Sequence, residues 1–370
     1  MERFSELLHG KFGFGCMRMQ CRENGEIDLD NFCRMVDCYL DAGFNYFDTA
    51  HVYFDGKSEE ALKAGLTSRY PRERYVLTDK LTSNCFETEE DIRPFFRKQL
   101  EACGVDYFDF YLFHAMCDEY IEKYERVHAF DVVKALKAEG KIKHIGMSFH
   151  DSPEVLDRLL STHPEIEIVQ IQYNYLDLDD KNVQAAACLE ICKKHDKPVI
   201  VMEPVKGGSL VFLPQQSLDV LNALNDGSPA SIALRFAAEP DQIVMVLSGV
   251  TTLEQMQENV TFMKDVKPLS RETHEAIKTV CEQIRALHLI ECTGCRYCTD
   301  GCPMQINIPG IFRCINDATK FPGKQSNRYG WVTSKGGKAS DCIECGACEE
   351  ICPQHLPIRD LLKQAAEQFE

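Results

Sequence analysis

The chain has 370 residues, 44% of them hydrophobic and 27% charged, and a formal net charge of −17 at pH 7. That length suits two or three domains with ample core, and the acidic balance excludes nucleic acid and anionic membranes as expected partners, since both repel it. No apolar run approaches the roughly 20 residues of a membrane span, and residues 1–10 lack an apolar stretch of signal-peptide length, so a cytoplasmic location is expected.

From residue 11 to 266 the chain alternates strand-like and helix-like segments. Apolar strands are predicted at 12–15, 44–47, 75–77, 108–113, 144–148, 168–172, 198–202 and 243–248. Amphipathic helices are predicted at 29–42, 88–103, 130–140, 183–195, 228–239 and 253–263. Strands apolar on both faces, alternating with helices, imply parallel βα units. Eight units in about 250 residues match a (β/α)8 TIM barrel. An open doubly wound sheet would need a glycine-rich phosphate turn after an early strand. Gly13-Phe14-Gly15 lacks the third glycine and a clear following helix. A polar helix is predicted over 268–289, then the composition changes to cysteine, glycine and proline, with short helices at 308–315 and 359–368. The expected domains are 1–284, the barrel, and 285–370.

Cysteine defines the second domain. The chain has 19 cysteines, nine of them after residue 290. Cys292-x2-Cys295-x2-Cys298-x3-Cys302-Pro303 is repeated as Cys342-x2-Cys345-x2-Cys348-x3-Cys352-Pro353. This is the bacterial ferredoxin run, so two [4Fe–4S] clusters are expected in a small ferredoxin-like domain. A cube takes three thiolates from one tight loop and a fourth from farther along the chain. In two-cluster ferredoxins that fourth cysteine ligates the other cluster. Cys352 is therefore expected to join Cys292, Cys295 and Cys298, and Cys302 to join Cys342, Cys345 and Cys348. Zinc ribbons use pairs of Cys-x2-Cys and not this run followed by proline. Cys314 stands apart and reads as a buried core thiol.

Chemistry in a barrel collects at the carboxyl ends of the strands. The second strand ends Phe47-Asp48-Thr49-Ala50-His51-Val52-Tyr53, the third Thr78-Asp79-Lys80 and the fourth Leu112-Phe113-His114. Asp48, Tyr53, Lys80 and His114 are thus expected at one rim. Tyr53 would be the general acid, its phenol pKa lowered by the Lys80 ammonium. Asp48 would hold Lys80 by a charge-assisted bond, and His114 would orient the substrate oxygen. His51 and His150 read as loop histidines or pocket walls.

These residues carry a resemblance. Gly43-Phe44-Asn45-Tyr46-Phe47-Asp48-Thr49-Ala50-x2-Tyr53 is similar to the Asp/Tyr signature of the aldo/keto reductase superfamily, and Lys80 and His114 fall where its other two catalytic residues sit. The resemblance covers about 10 to 265. With both cysteine runs, the chain resembles the subfamily carrying a C-terminal 4Fe–4S domain.

The resemblance also implies a nicotinamide site. Ser148 and Gln170 would contact the carboxamide. Met17, Arg18, Gly207, Gly208 and the segment 249–259, with Gly249, Gln255 and Asn259, would line the rest. Three positions depart from the family pattern. Phe149 stands where an asparagine is usual, and Met202 where an aromatic ring often stacks. The stretch Ser248 to Gln255 carries no basic residue for a 2′-phosphate, which leaves NAD as open as NADP.

The expected function is an iron–sulfur-containing, NAD(P)H-dependent oxidoreductase acting on a small-molecule carbonyl or alcohol. One alternative is an electron-transfer oxidoreductase passing single electrons between a nucleotide or flavin and a ferredoxin-type or other redox partner. Another is a non-enzymatic redox sensor.

Overall fold

A computed structural model describes Phe4 and residues 6–370 of the chain. Eight strands form a closed, all-parallel barrel in sequence order: β1 Phe12–Gly15, β2 Tyr46–Asp48, β3 Val76–Leu81, β4 Phe108–Met116, β5 Ile142–Phe149, β6 Ile168–Gln172, β7 Val199–Met202 and β8 Ile243–Ser248. All eight predicted strands are present. Parallel neighbours need a crossover each, and helices supply them, among them Leu29–Asp41, Glu89–Cys103, Ala129–Ala138, Ala185–Lys194, Pro229–Ala238 and Leu253–Met263.

The helices start where their sequences allow. Ser152 and Ser228 accept backbone N–H bonds at helix starts whose first residue is proline, Pro153 and Pro229. Proline suits that position because its missing N–H has no helical partner there. Thr252 and Gln255 form a capping box for Leu253–Met263.

Alternate residues of the strands fill the barrel interior. Tyr46, Phe110, Leu112, Ile168, Ile200 and Met245 form one buried cluster, joined by Phe4 and Leu8. Gly146 faces Ile168 and Leu112 so closely that a Cβ there would lie 2.7 Å from Ile168 Cγ2, so the large side chains occupy its space. Truncating one of them to alanine costs on the order of 2–5 kcal/mol.

The described chain divides into two compact units. One contains residues up to Gly208 together with Asp226–Arg271, and the other contains Ser209–Asn225 and Glu272–Glu370. Packing thus groups 209–225 and 272–284 with the cysteine-rich region, whereas the sequence reading keeps them with the barrel. Polar contacts within the second unit show why: Ser217 Oγ lies 2.6 Å from Gln283 Oε1, and Lys324 donates to Ser209 Oγ at 2.6 Å. Its core gathers Ile306, Ile311, Phe312, Ile315, Ile358 and Leu362 from the helices Ile308–Lys320 and Ile358–Phe369 and the chain before them, with Cys314 buried beside them. Among the described residues no helix is long and apolar enough to cross a membrane.

Candidate functional site

The carboxyl ends of β2, β3 and β4 bring the four rim residues together. The Lys80 side chain is completely buried. Its ammonium donates to Asp48 Oδ1 at 2.6 Å, to the Thr49 carbonyl at 2.7 Å and to Tyr53 Oη at 3.4 Å. An ammonium has three protons, and each has a partner. Asp48 Oδ2 in turn accepts from Gln170 Nε2 at 3.1 Å. Tyr53 and His114 face each other edge to face, with ring centroids 6.0 Å apart.

Electrostatics fix the protonation states. Burial by itself lowers the Lys80 pKa and is the largest single effect, but Asp48, Tyr53 and Asp79 together outweigh it and the net direction is upward, so the lysine stays charged. Burial raises the Tyr53 pKa. Lys80 pulls it back and Asp48 pushes it up again, and the net direction is upward. Contrary to expectation, Lys80 does not bring this pKa below its ordinary value: the ammonium acts in that direction, but desolvation of the phenol is larger. Tyr53 is therefore a protonated phenol at neutral pH, as a proton donor must be. Burial, with Lys80 second, holds the His114 pKa well below its usual value, so the imidazole is neutral.

The backbone beside Tyr53 is strained. Phe54 (φ 53°) and Asp55 (φ 55°) are both left-handed, followed by Gly56 at φ 87°. Left-handed non-glycine residues cost roughly 1 kcal/mol each or more and cluster at functional sites. His114 sits before a similar feature. Ala115 has φ 55°, the β4–β5 register shifts between Phe113 and Met116, and Ala115 N–H donates to Ser148 Oγ at 2.7 Å.

The residues expected at the nucleotide occupy several strand ends. Ser148 and Gln170 are buried beside the Asp48–Lys80 pair and His114. Among the described residues Ser148 Oγ accepts one bond, from Ala115 N–H, and the Gln170 amide gives one, to Asp48, which leaves the Ser148 hydroxyl proton and Gln170 Oε1 without a side-chain partner there. Met202 is half-buried at the end of β7, and Gly207 and Gly208 follow with φ 59° and 85°. Met17 is exposed. The Arg18 stem packs over Gly249, where a Cβ would lie 3.2 Å from Arg18 Cγ, and the Arg18 carbonyl accepts from Thr251 Oγ1 at 3.0 Å. Gln255 Oε1 accepts from Thr251 N–H at 2.8 Å, and buried Asn259 donates to Ser248 Oγ at 3.1 Å. Lys206 is tied to buried Asp177, whereas Arg18 has no acidic partner among the described residues. His51 bonds Glu59 at 2.9 Å.

Three groups around the rim escape the sequence reading. Thr82 Oγ1 lies 2.7 Å from His114 Nδ1. Tyr124 Oη lies 2.6 Å from the Leu81 carbonyl and 3.2 Å from that of His114. Gln99 donates to the Lys80 carbonyl at 3.0 Å. Strand periodicity carries a signal only for Thr82, two residues beyond Lys80 and so on its side of the strand.

In the second unit the cysteines line two cavities. Cys292, Cys295, Cys298 and Cys352 border one, and Cys302, Cys342, Cys345 and Cys348 border the other. Each group combines three cysteines of one run with the last of the other. The two runs share a backbone as well as a spacing. Left-handed residues recur fifty positions apart at Gly294 and Glu344, at Arg296 and Gly346, and at Gln305 and His355. The sulfurs ring the cavities and do not meet at a point: among the described residues no three His, Cys, Asp or Glu side chains converge on a single ion. Four thiols around an apolar hollow suit a cube better than one zinc.

A family model described as the aldo/keto reductase family matches residues 11–282. The chain belongs to the aldo/keto reductase family. A second model, described as a 4Fe-4S dicluster domain, matches residues 291–356, so this aldo/keto reductase is an oxidoreductase with an iron–sulfur domain at its C-terminal side. One relative is the NADH-specific methylglyoxal reductase of Escherichia coli K12, 26% identical over 64% of this chain and 84% of its own. Among solved structures, the holo form of aldo-keto reductase AKR11C1 from Bacillus halodurans aligns with a TM-score of 0.60 at 25% identity, over 74% of this chain and 92% of its own. An aldo-keto reductase from Klebsiella pneumoniae in complex with NADPH shares the fold, with a TM-score of 0.60 and 20% identity over 73% of this chain and 90% of its own.

Proposed function

We propose that this protein is an NAD(P)H-dependent reductase of small carbonyl compounds, running in reverse as an alcohol dehydrogenase, with two [4Fe–4S] clusters in its C-terminal domain. The observation that carries the reading is the buried Asp48–Lys80 pair bonded to Tyr53, with His114 facing the phenol. Relatives named or solved with NADH and NADPH support a nicotinamide cofactor. Ser148, Gln170, Met202, Gly207, Gly208, Gly249 and Arg18 would hold it. When bound, it supplies the hydride.

The chain's own residues do the rest. As the carbonyl carbon gains the hydride, the π electrons move to the oxygen, and the developing alkoxide takes the Tyr53 proton. Lys80 stabilises the phenolate left behind, and Asp48 keeps Lys80 charged and aimed. His114, neutral, bonds the substrate oxygen and orients it.

A second reading rests on the two cysteine-lined cavities. Clusters moving single electrons would connect the barrel chemistry to a redox partner, with a flavin as one carrier able to pass between one- and two-electron steps. Anaerobic titration with dithionite and with NAD(P)H, followed by electron paramagnetic resonance, tests it. Clusters that no cellular donor reduces would end that reading.

Tyr53→Phe tests the leading one. The variant loses carbonyl reduction by about 100-fold or more while nucleotide binding, followed by fluorescence quenching, stays intact. Unchanged turnover would overturn the assignment.

A further inference from the structure

His114 is held on three sides. Its carbonyl bonds Tyr124 Oη, its C-terminal neighbour Ala115 donates to Ser148, and its ring nitrogen Nδ1 lies 2.7 Å from Thr82 Oγ1. The ring's position is therefore set. What remains to be set is the location of its one proton, since a neutral imidazole carries it on either Nδ1 or Nε2. That choice decides whether Nε2 meets a substrate oxygen as a donor or as a lone pair.

The Thr82 hydroxyl has one proton and can give or take at Nδ1. Thr82 is only 8% exposed, and its side chain has no other hydrogen-bond partner among the described residues. If Nδ1 carried the proton and donated to Thr82, the threonine's own proton would have no acceptor in a nearly closed site, and a buried donor left unsatisfied is costly. If Thr82 donates to the Nδ1 lone pair, both groups are satisfied and the ring proton sits on Nε2.

We propose that Thr82 is a positioning residue that holds His114 as the Nε2–H tautomer, so that the imidazole meets the substrate carbonyl as a hydrogen-bond donor. The proposal rests on the reading of Tyr53 and His114 given above. Nε2–H and the Tyr53 hydroxyl then both point donors at one oxygen, which gains negative charge as hydride arrives. In the opposite tautomer the Nε2 lone pair would repel that oxygen.

The test uses the full chain labelled with ¹⁵N-histidine, with His114 assigned through a His114→Gln variant. In the wild-type protein, Nδ1 is expected to resonate as an unprotonated, hydrogen-bonded nitrogen and Nε2 as a protonated one. Thr82→Val keeps the shape and removes the hydroxyl. It is expected to shift the Nδ1 resonance, mix the tautomers and lower kcat about tenfold with the nucleotide KM unchanged. Thr82→Ser is expected to restore both the spectrum and kcat. A wild-type spectrum with the proton on Nδ1 overturns the proposal, and this measurement needs no variant of Thr82 to fold. A Thr82→Val protein with wild-type spectrum and kcat overturns it equally. Full activity in Tyr53→Phe would remove the reductase reading while leaving the tautomer result standing.

Discussion

Asp79 and Glu59 hydrogen-bond to each other through their carboxyl groups, and both side chains are completely buried. Two ionised carboxylates cannot share such a bond, so the pair holds a proton. Asp79 Oδ1 also accepts from the Lys80 backbone N–H at 2.7 Å, and Gln99 bonds the Lys80 carbonyl while accepting from Tyr111 at 2.5 Å. The peptide carrying the rim lysine is thus clamped from its other side by groups that take no part in proton donation.

This pair predicts a pH dependence of stability. Burial raises both carboxyl pKa values above the ordinary range. His51, Lys98, Lys80, Cys103 and Tyr111 surround the pair. The folded state keeps the proton to higher pH than the unfolded chain does, so stability is full below the ordinary carboxylate range and falls as pH rises above it. Asp79→Asn gives Glu59 a permanent N–H donor that needs no proton from solvent. Between pH 6 and 9 the wild-type Tm should fall by about 3 °C per unit of pKa displacement, and that of Asp79→Asn by less. Parallel Tm curves measured by circular dichroism would remove the shared proton from the account.

The barrel is legible because its strands are buried on both faces and read as apolar runs. The same rule ends several strands too early. β3 continues to Leu81 and β4 to Met116, beyond the predicted 77 and 113, because Asp79, Lys80 and His114 are polar residues inside strands. Polarity at a strand end marks the site and hides the strand together. The rim residues are legible by position, but their second layer is not. Thr82, Tyr124 and Gln99 reach the site through contacts 10 to 32 residues apart in sequence, and the turn at Ala115 depends on a left-handed alanine that no propensity favours. The helix Pro153–Thr162 escapes the reading despite its Ser-Pro start.

Arg18 predicts cofactor preference. The sequence between Ser248 and Gln255 has no cation, which implies little discrimination between NADPH and NADH. The fold, however, lays Arg18 against Gly249. If a 2′-phosphate binds at this end of the barrel, Arg18 is placed to meet it, whereas Lys206 is held by Asp177. Arg18→Ala should lower kcat/KM for NADPH about tenfold, the worth of one charge-assisted bond, and change that for NADH less than about twofold. Equal effects on both cofactors would make Arg18 a packing residue only.

The crossed cysteine arrangement makes the last prediction, and it is one of non-additivity. If each cube is held by three cysteines of one run and the final cysteine of the other, then Cys302 and Cys345 serve the same cube, while Cys302 and Cys295 serve different ones. Cys302→Ala combined with Cys345→Ser should retain about half of the wild-type iron and sulfide after anaerobic purification, because both changes strike one cluster of four irons. Cys302→Ala combined with Cys295→Ser should lose nearly all of it. Ligation within each run reverses the outcome: the pair 302 and 295 would then spare one cube, and the pair 302 and 345 would destroy both. Cys298 and the flanking Ile306 and Ile358 share one small core, so losing both cubes also loosens the loops around it. The two double variants each lose two thiols, so general unfolding would lower iron in both alike, whereas crossed ligation leaves about half of it in one and almost none in the other.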